Sequence, residues 1–262
     1  MTKRNTLCTD KLDPLWLQEQ LGFAVTLIEK SQSTQQDTKR AKEKGELNSP
    51  HLFLANNQTA AVGRFSRPFF ASNNQGIYMS LYLPVKTQKK LPTYTLMVAS
   101  SIVKAIWRLT QIDTQIKWVN DIYRDGKKIA GILTETTTHP KTGQRDGVII
   151  GVGINFAITT FPKELEHKAG NLFEGTPTIS RNALIKEIWH LFLSVPEHDL
   201  IKVYKEKSLV LGRRICFNEN GTVFTGEALD ILNSGTLVVK LNNDKVKYLS
   251  SGEISLSSWS NL

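Results

Sequence analysis

The chain has 262 residues and a mass of 29.4 kDa, which suits one large domain or a main domain with a small satellite. With 40% hydrophobic and 22% charged residues, 17 glycines and 9 prolines, wholesale disorder and fibrous architectures are excluded. The formal charge of +9 and pI of about 9.5 favour acidic partners, nucleotides or nucleic acid. The basic residues are scattered, with short clusters at Lys39–Lys44, Lys86–Lys90 and Lys202–Lys207, and read as a solvated surface.

Pro14 followed by Leu15, Leu17 and Leu21, closed by Gly22, predicts a short helix, and Val25–Ile28 a strand. Ser31 or Ser33 caps a polar helix that runs through Lys42 and stops near Gly45. His51–Ala55 and Ile77–Leu83 are strands, separated by a long, polar and basic loop from Gln58 to Gln75. Thr93–Thr110 carries the apolar spacing of a well-buried helix. Ile116–Tyr123 and Ile129–Thr136 flank Asp125-Gly126, a hairpin signal. A second turn at 139–143 leads into Gly147–Asn155. Three consecutive hairpin-linked strands imply an antiparallel sheet. Ser180 caps a helix through Phe192, and a polar helix extends to Lys207. After Leu211 come five short runs, Arg213–Phe217, Val223–Ile231, Thr236–Lys240, Val246–Leu249 and Ile254–Leu256. Their close spacing and turn residues predict a small β-barrel. The boundary falls between Lys207 and Gly212, giving domains 1–208 and 209–262.

Familiar signatures are missing. Two cysteines, Cys8 and Cys216, make no disulfide framework and point to a reducing setting. No apolar run follows Lys3 and Arg4 as in a signal peptide, and the Val148–Phe161 stretch is broken by Asn155 and too short for a bilayer, so a cytoplasmic location is expected. Gly126-Lys-Lys lacks the rest of a P-loop, and Phe156 stands where a dinucleotide fingerprint beginning at Gly151 needs its third glycine. The five histidines show no zinc spacing, and no Gly-x-Ser-x-Gly elbow exists.

Three segments carry chemistry. Ser33-Thr34-Gln35 opens a helix, where hydroxyls and free backbone N–H groups meet either a cap or a polar ligand. Gln58-Thr-Ala-Ala-Val-Gly63-Arg64-Phe-Ser-Arg67-Pro-Phe69 combines a flexible glycine with two guanidinium forks, and its aromatics, with Phe70, either pin the loop or cover a ligand. Lys117-Trp-Val-Asn-Asp121 reads as strand, with Lys117, Val119 and Asp121 on one face. A lysine among apolar neighbours is costly to desolvate unless an anion meets it.

In order, Ser-Thr-Gln, the Gln58–Arg67 loop, Lys-Trp-x-Asn-Asp, Lys128-Ile-Ala-Gly-Ile-Leu-x-Glu135, Gly151-x-Gly-Ile-Asn155 and the terminal Gly252-Glu253-Ile-Ser-Leu256 resemble the biotin protein ligases from about Ser31 to Leu256. The resemblance implies an α+β fold: a mixed, largely antiparallel sheet with flanking helices, like the class II synthetase core, plus a C-terminal SH3-like barrel. It implies activation of biotin with ATP and Mg2+ to biotinyl-5′-AMP and acylation of one lysine of a biotin carboxyl carrier domain of acetyl-CoA carboxylase. The catalytic residues would be Lys117 and Arg64. Biotin would be met by Ser33, Thr34, Gln35, Gln58, Val62, Gly63, Arg64, Lys117, Gly131, Ile132 and Gly151, with Gly153 shaping the wall. The nucleotide would be met by Arg64, Arg67, Phe69, Asn120, Lys128 and Asn155, and magnesium by Asp121. The family often pairs sheet edges into a homodimer. Only about thirty residues precede Ser33, so the resemblance implies a ligase without the family's DNA-binding module or specific DNA binding, and without a membrane.

The sequence departs from the family's Gly-Arg-Gly-Arg loop: Ala61 and Val62 replace the first pair, Phe69 a tryptophan, Val119 a proline, and Ser257 an arginine. Three readings compete with the ligase: a lipoate or octanoate transferase on a similar core, a binding module for nucleic acid, and a degenerate homologue that holds biotinyl-adenylate but transfers poorly.

Overall fold

The computed structural model describes residues 10–85, 90–139 and 141–256. Cys8, Ser257 and most of the Lys86–Lys90 cluster lie outside these residues.

Helix α1 (Pro14–Leu21) starts where the Asp13 carboxylate accepts from Trp16 N at 2.9 Å and ends at Gly22, whose φ of 74° suits glycine. Strand β1 (Ala24–Ser31) pairs in parallel with β2 (His51–Gln58), and α2 (Thr34–Glu43) makes the crossover. All further pairing is antiparallel, through β3 (Gly76–Pro84), β4 (Gln115–Lys117), β5 (Asp121–Arg124), β6 (Lys127–Thr138) and β7 (Arg145–Asn155). The order across the sheet is β1-β2-β3-β7-β6-β5-β4. The expected mixed, largely antiparallel sheet is what forms.

Side-chain alternation divides the sheet between two layers. Along β7, Val148, Ile150, Val152 and Ile154 enter the main core. There they meet α3 (Leu91–Thr110), α4 (Arg181–Ser194) and α5 (Glu197–Glu206). Ile149 joins Ala41 of α2, Leu47, Phe53 and Tyr82 in a small core on the opposite face. The next positions on that face, Gly151 and Gly153, have no side chain, which lets side chains from other elements approach the strand there.

The last five strands follow the predicted runs: β8 (Arg214–Glu219), β9 (Thr222–Ile231), β10 (Leu237–Leu241), β11 (Val246–Leu249) and β12 (Ile254–Leu256). They form a second antiparallel sheet, ordered β11-β10-β9-β8-β12. Its apolar side (Ile215, Ala228, Leu237, Val239, Leu256) is continuous with the main core. Trp118 Nε1 donates to Gly235 O at 2.9 Å, tying the two sheets together. Among the described residues, no helix is long and apolar enough to cross a membrane.

One expectation is corrected. Ile116–Tyr123 is not one strand: it breaks into β4 and β5 around a turn at 118–120, with a cis Trp118–Val119 peptide. Lys117 and Asp121 do share a face, but through direct cross-strand pairing rather than alternation. Val119 is buried, its carbonyl accepting from Tyr204 Oη at 3.0 Å. An apolar, β-branched turn residue hid the reversal from a reading based on polar turn signals.

Candidate active site

A cavity of about 360 Å³ opens on the α2 face of the sheet, between the glycine-bearing strands, the 59–75 loop and residues 252–255 of the C-terminal sheet. The loop is a compact fold of its own. Gly63 N donates to Arg67 O at 2.8 Å, Phe69 N to Ala61 O at 2.9 Å, and Val62 bridges to Pro68. Its apex is a single 3-10 turn, Arg64–Ser66, with Phe65 and Ser66 in left-handed backbone (φ 56° each).

One end of the cavity is neutral and polar. Ser33 occupies the N-cap of α2, but its hydroxyl makes no capping bond. Gln58 caps instead, its Oε1 accepting from Thr34 N at 2.7 Å. Thr34 and Ser80 hydroxyls lie 2.9 Å apart, and Ser80 donates to Gln35 Oε1 at 3.1 Å. Ser33, Thr34, Gln35 and Ser80 are all buried, and polar groups are buried in such numbers only with partners on hand. Gly151 is needed here: a Cβ would sit 2.5 Å from Gln35 Oε1.

The other end is cationic. Arg64 Nη1 donates to Asn120 Oδ1 at 3.0 Å, and Asn120 Nδ2 donates to Ile132 O and Asp121 Oδ1, both at 3.1 Å. Lys128 pairs with Asp121 at 2.7 Å. Lys117 reaches over the Tyr123 ring, 5.8 Å from its centroid. Burial holds the Lys117 ammonium below the usual lysine range, with Lys128 adding to the depression and Asp121 and Glu253 opposing it. Burial likewise lowers the Arg64 guanidinium, against the pull of Asp121 and Glu253. Desolvated cations of this kind bind an anion more strongly than surface ones do. The Phe69 ring occupies the gap at Gly153, where a Cβ would come within 2.7 Å of it.

Of the residues singled out from the sequence, Ser33, Thr34, Gln35, Gln58, Val62, Gly63, Arg64, Arg67, Phe69, Lys117, Asn120, Asp121, Lys128, Gly131, Ile132, Gly151 and Gly153 all line this cavity. Asn155 does not. It is buried, and its Nδ2 donates to Gly170 O at 2.9 Å, holding the 156–180 segment. Ser80, Tyr123 and Glu253 also line the cavity and were not assigned from sequence. Ser80 sat unnoticed in an otherwise apolar strand, where a lone hydroxyl was the available signal. Glu253, quoted only as part of a terminal run, forms a two-oxygen ion pair with Arg67 (Nη2 to Oε2, 2.7 Å) across from the other sheet.

Comparisons with known proteins agree with this architecture. The sequence profile "Biotin/lipoate A/B protein ligase family" matches residues 27–155, and "Biotin protein ligase C terminal domain" matches residues 210–257. The "Bifunctional ligase/repressor BirA" of Bacillus subtilis (strain 168) is 33% identical over 231 residues, 83% of this chain and 70% of that protein. The "Biotin--[acetyl-CoA-carboxylase] ligase" of Mycobacterium tuberculosis is 26% identical over 78% of this chain and 77% of its own length. In fold, the "Biotin protein ligase from Aquifex aeolicus in complex with biotin and ATP" superposes with a TM-score of 0.75 at 24% identity, covering 88% of this chain and 97% of that one. A mixed sheet followed by a second small antiparallel sheet is the fold of the biotin/lipoate class of ligases. The chain belongs to the biotin/lipoate A/B protein ligase family, and its C-terminal match places it with the biotin protein ligases.

Proposed function

We propose that this chain joins biotin to ATP, forming biotinyl-5′-AMP and pyrophosphate, and passes the biotinyl group to the ε-amine of one lysine of a biotin carboxyl carrier domain, releasing AMP. The observation that carries this reading is one cavity with a neutral hydrogen-bonding end and a desolvated cationic end. The first suits an uncharged cyclic urea, the second a carboxylate and phosphate.

In the first step the carboxylate oxygen attacks the α-phosphorus and pyrophosphate leaves. Both partners are anions, so the ground state repels itself and charge grows on phosphoryl oxygens. Lys117 and Arg64 neutralise that charge in place, with little reorganisation because Asn120 already orients Arg64. In the second step an amine attacks the acyl carbon, and the same lysine steadies the acyl oxygen while AMP departs. No protein nucleophile is required.

The donor set fits magnesium in one mode. Asp121 contributes a carboxylate, and no group of three or more His, Cys, Asp or Glu side chains placed to hold a metal occurs among the described residues. Magnesium often binds through one or two carboxylates plus phosphates and water, so Asp121 would hold an ion carried in by ATP, and that ion would supply charge neutralisation at the phosphates.

The same reading divides the chain into a catalytic domain (1–208) and a barrel domain (209–262), sets the reaction in the cytoplasm, and covers ligase activity alone. The C-terminal match favours it over a lipoate or octanoate transferase. The test is mass spectrometry of a carrier domain incubated with the chain, biotin and MgATP. One biotinyl group on one lysine, lost when that lysine is changed to arginine, is expected. Acylation by lipoate or octanoate in its place would refute the proposal.

A further inference from the structure

Beneath the neutral end of the cavity runs a chain of hydrogen bonds that begins on a charge. Lys39 and Gln35 stand one turn apart on α2, and both reach Glu135 of β6. Lys39 Nζ lies 2.8 Å from Glu135 Oε1, and Gln35 Nε2 donates to Glu135 Oε2 at 2.8 Å and to Leu133 O at 3.5 Å. Gln35 Oε1 then accepts from Ser80, which is in contact with Thr34.

A glutamine amide is nearly symmetric in shape, and only its partners decide which way round it sits. A carboxylate facing an ammonium accepts and never donates. The Gln35 NH2 must therefore point at Glu135 and its carbonyl oxygen at Ser80. Ser80 spends its proton on Gln35, so in the 2.9 Å contact the Thr34 hydroxyl is the donor, and its longer 3.3 Å contact to Gln58 Oε1 shares the same proton as the weaker branch. At Gln58 the oxygen is taken by Thr34 N, leaving the NH2 as its donating end. Gln35 Oε1, with a second lone pair beside Gly151, is thus an acceptor, and Gln58 Nε2 a donor. A cyclic urea has one carbonyl acceptor and two N–H donors and needs both kinds of partner in fixed places.

We propose that Glu135, held by Lys39, is a positioning residue that locks Gln35 in its acceptor orientation and so sets the hydrogen-bond polarity of the urea-binding end. Neither side chain lines the cavity. Both are about one-third exposed (32% and 33%), so the ion pair contributes little stability of its own, and orientation is what its geometry serves. The inference rests on the biotin reading above.

The test measures the biotin Kd by titration calorimetry, the ATP KM and the melting temperature. Glu135→Gln keeps the shape but offers an NH2, and Gln35 is freed to turn. The biotin Kd is expected to rise about ten-fold, with ATP KM and melting temperature unchanged. In a Gln35→Leu background the same change should add nothing. An unaltered Kd in Glu135→Gln, or a further rise in the Gln35→Leu background, overturns the proposal, because a purely structural role would persist there. Should Glu135→Gln fail to fold, Lys39→Met stands in, with a rise of about three-fold expected and a wild-type Kd overturning it. A wild-type chain that binds no biotin overturns the function and this inference together, whereas normal wild-type binding with an indifferent Glu135 overturns this inference alone.

Discussion

Lys117 shows how a single side chain joins packing to chemistry. Burial lowers its pKa from the ordinary 10.5, so in the empty enzyme it loses its proton at a lower pH than a surface lysine. An anion bound beside it reverses part of that shift, since an opposite charge favours the protonated form. The sign is therefore fixed. The alkaline limb of kcat/KM, which reports the free enzyme, should lie below pH 10.5 and below the limb of kcat, which reports the bound one. Lys117→Arg should move the first limb upward. Coincident limbs in a pH–rate profile would contradict a charge-gripping role. Val62 is a second residue-scale case. It is 37% exposed at the cavity rim, where the family loop has arginine. An arginine–phosphate contact contributes roughly 1.5–3 kcal/mol when well formed, so Val62→Arg should slow dissociation of the adenylate by about ten- to a hundred-fold, measured by stopped-flow or filter release. An unchanged off-rate would show that the position does not face the ligand.

At the scale of elements, the strands are read from the sequence more easily than the site they bound. Apolar and β-branched runs bounded by turn residues marked β2, β3, β6, β7 and the five C-terminal strands, and capping residues marked α1 and α4, because each signal is local. The β4–β5 reversal escaped, since Trp118 and Val119 are buried by the second sheet and by Tyr204, contacts far off in sequence. Gly151 and Gly153 looked like half of a nucleotide fingerprint. In the fold they are gaps in a strand, each filled from a different direction: Gln35 over Gly151, Phe69 over Gly153. That difference is testable. A Cβ at 151 meets Gln35 Oε1 at 2.5 Å and one at 153 meets the Phe69 ring at 2.7 Å. Gly151→Ala should weaken biotin binding and leave the ATP KM nearly unchanged, and Gly153→Ala should do the reverse. Steady-state kinetics with each substrate varied in turn checks both. If both changes weaken the same substrate, the two ends of the cavity are not separate.

On the scale of the whole molecule, the second sheet is part of the cavity wall. Residues 252–255 close the cavity, and Glu253 clasps Arg67 of the 59–75 loop. The loop thus rests on a carboxylate from a segment nearly two hundred residues away, a joint that no local pattern discloses. Arg67 and Glu253 are 65% and 51% exposed, so the pair contributes no more than about 1 kcal/mol and weakens with salt. Arg67→Ala and Glu253→Ala should each raise the ATP KM by a small factor, and the double variant by no more than the larger single effect, at low ionic strength. Strict additivity would mean the two act independently. The family's terminal motif marked the segment in the sequence, but its partner emerged only once the two sheets were placed together.

The central claim, that a desolvated ammonium holds biotin's carboxylate and the α-phosphate during adenylation, is tested most directly by biotin-dependent ATP–pyrophosphate exchange in the wild type beside Lys117→Ala. Robust exchange in the wild type, reduced at least a hundred-fold in a variant that keeps its melting temperature and still binds biotin, is the predicted result. Exchange that survives the loss of Lys117 would contradict the account.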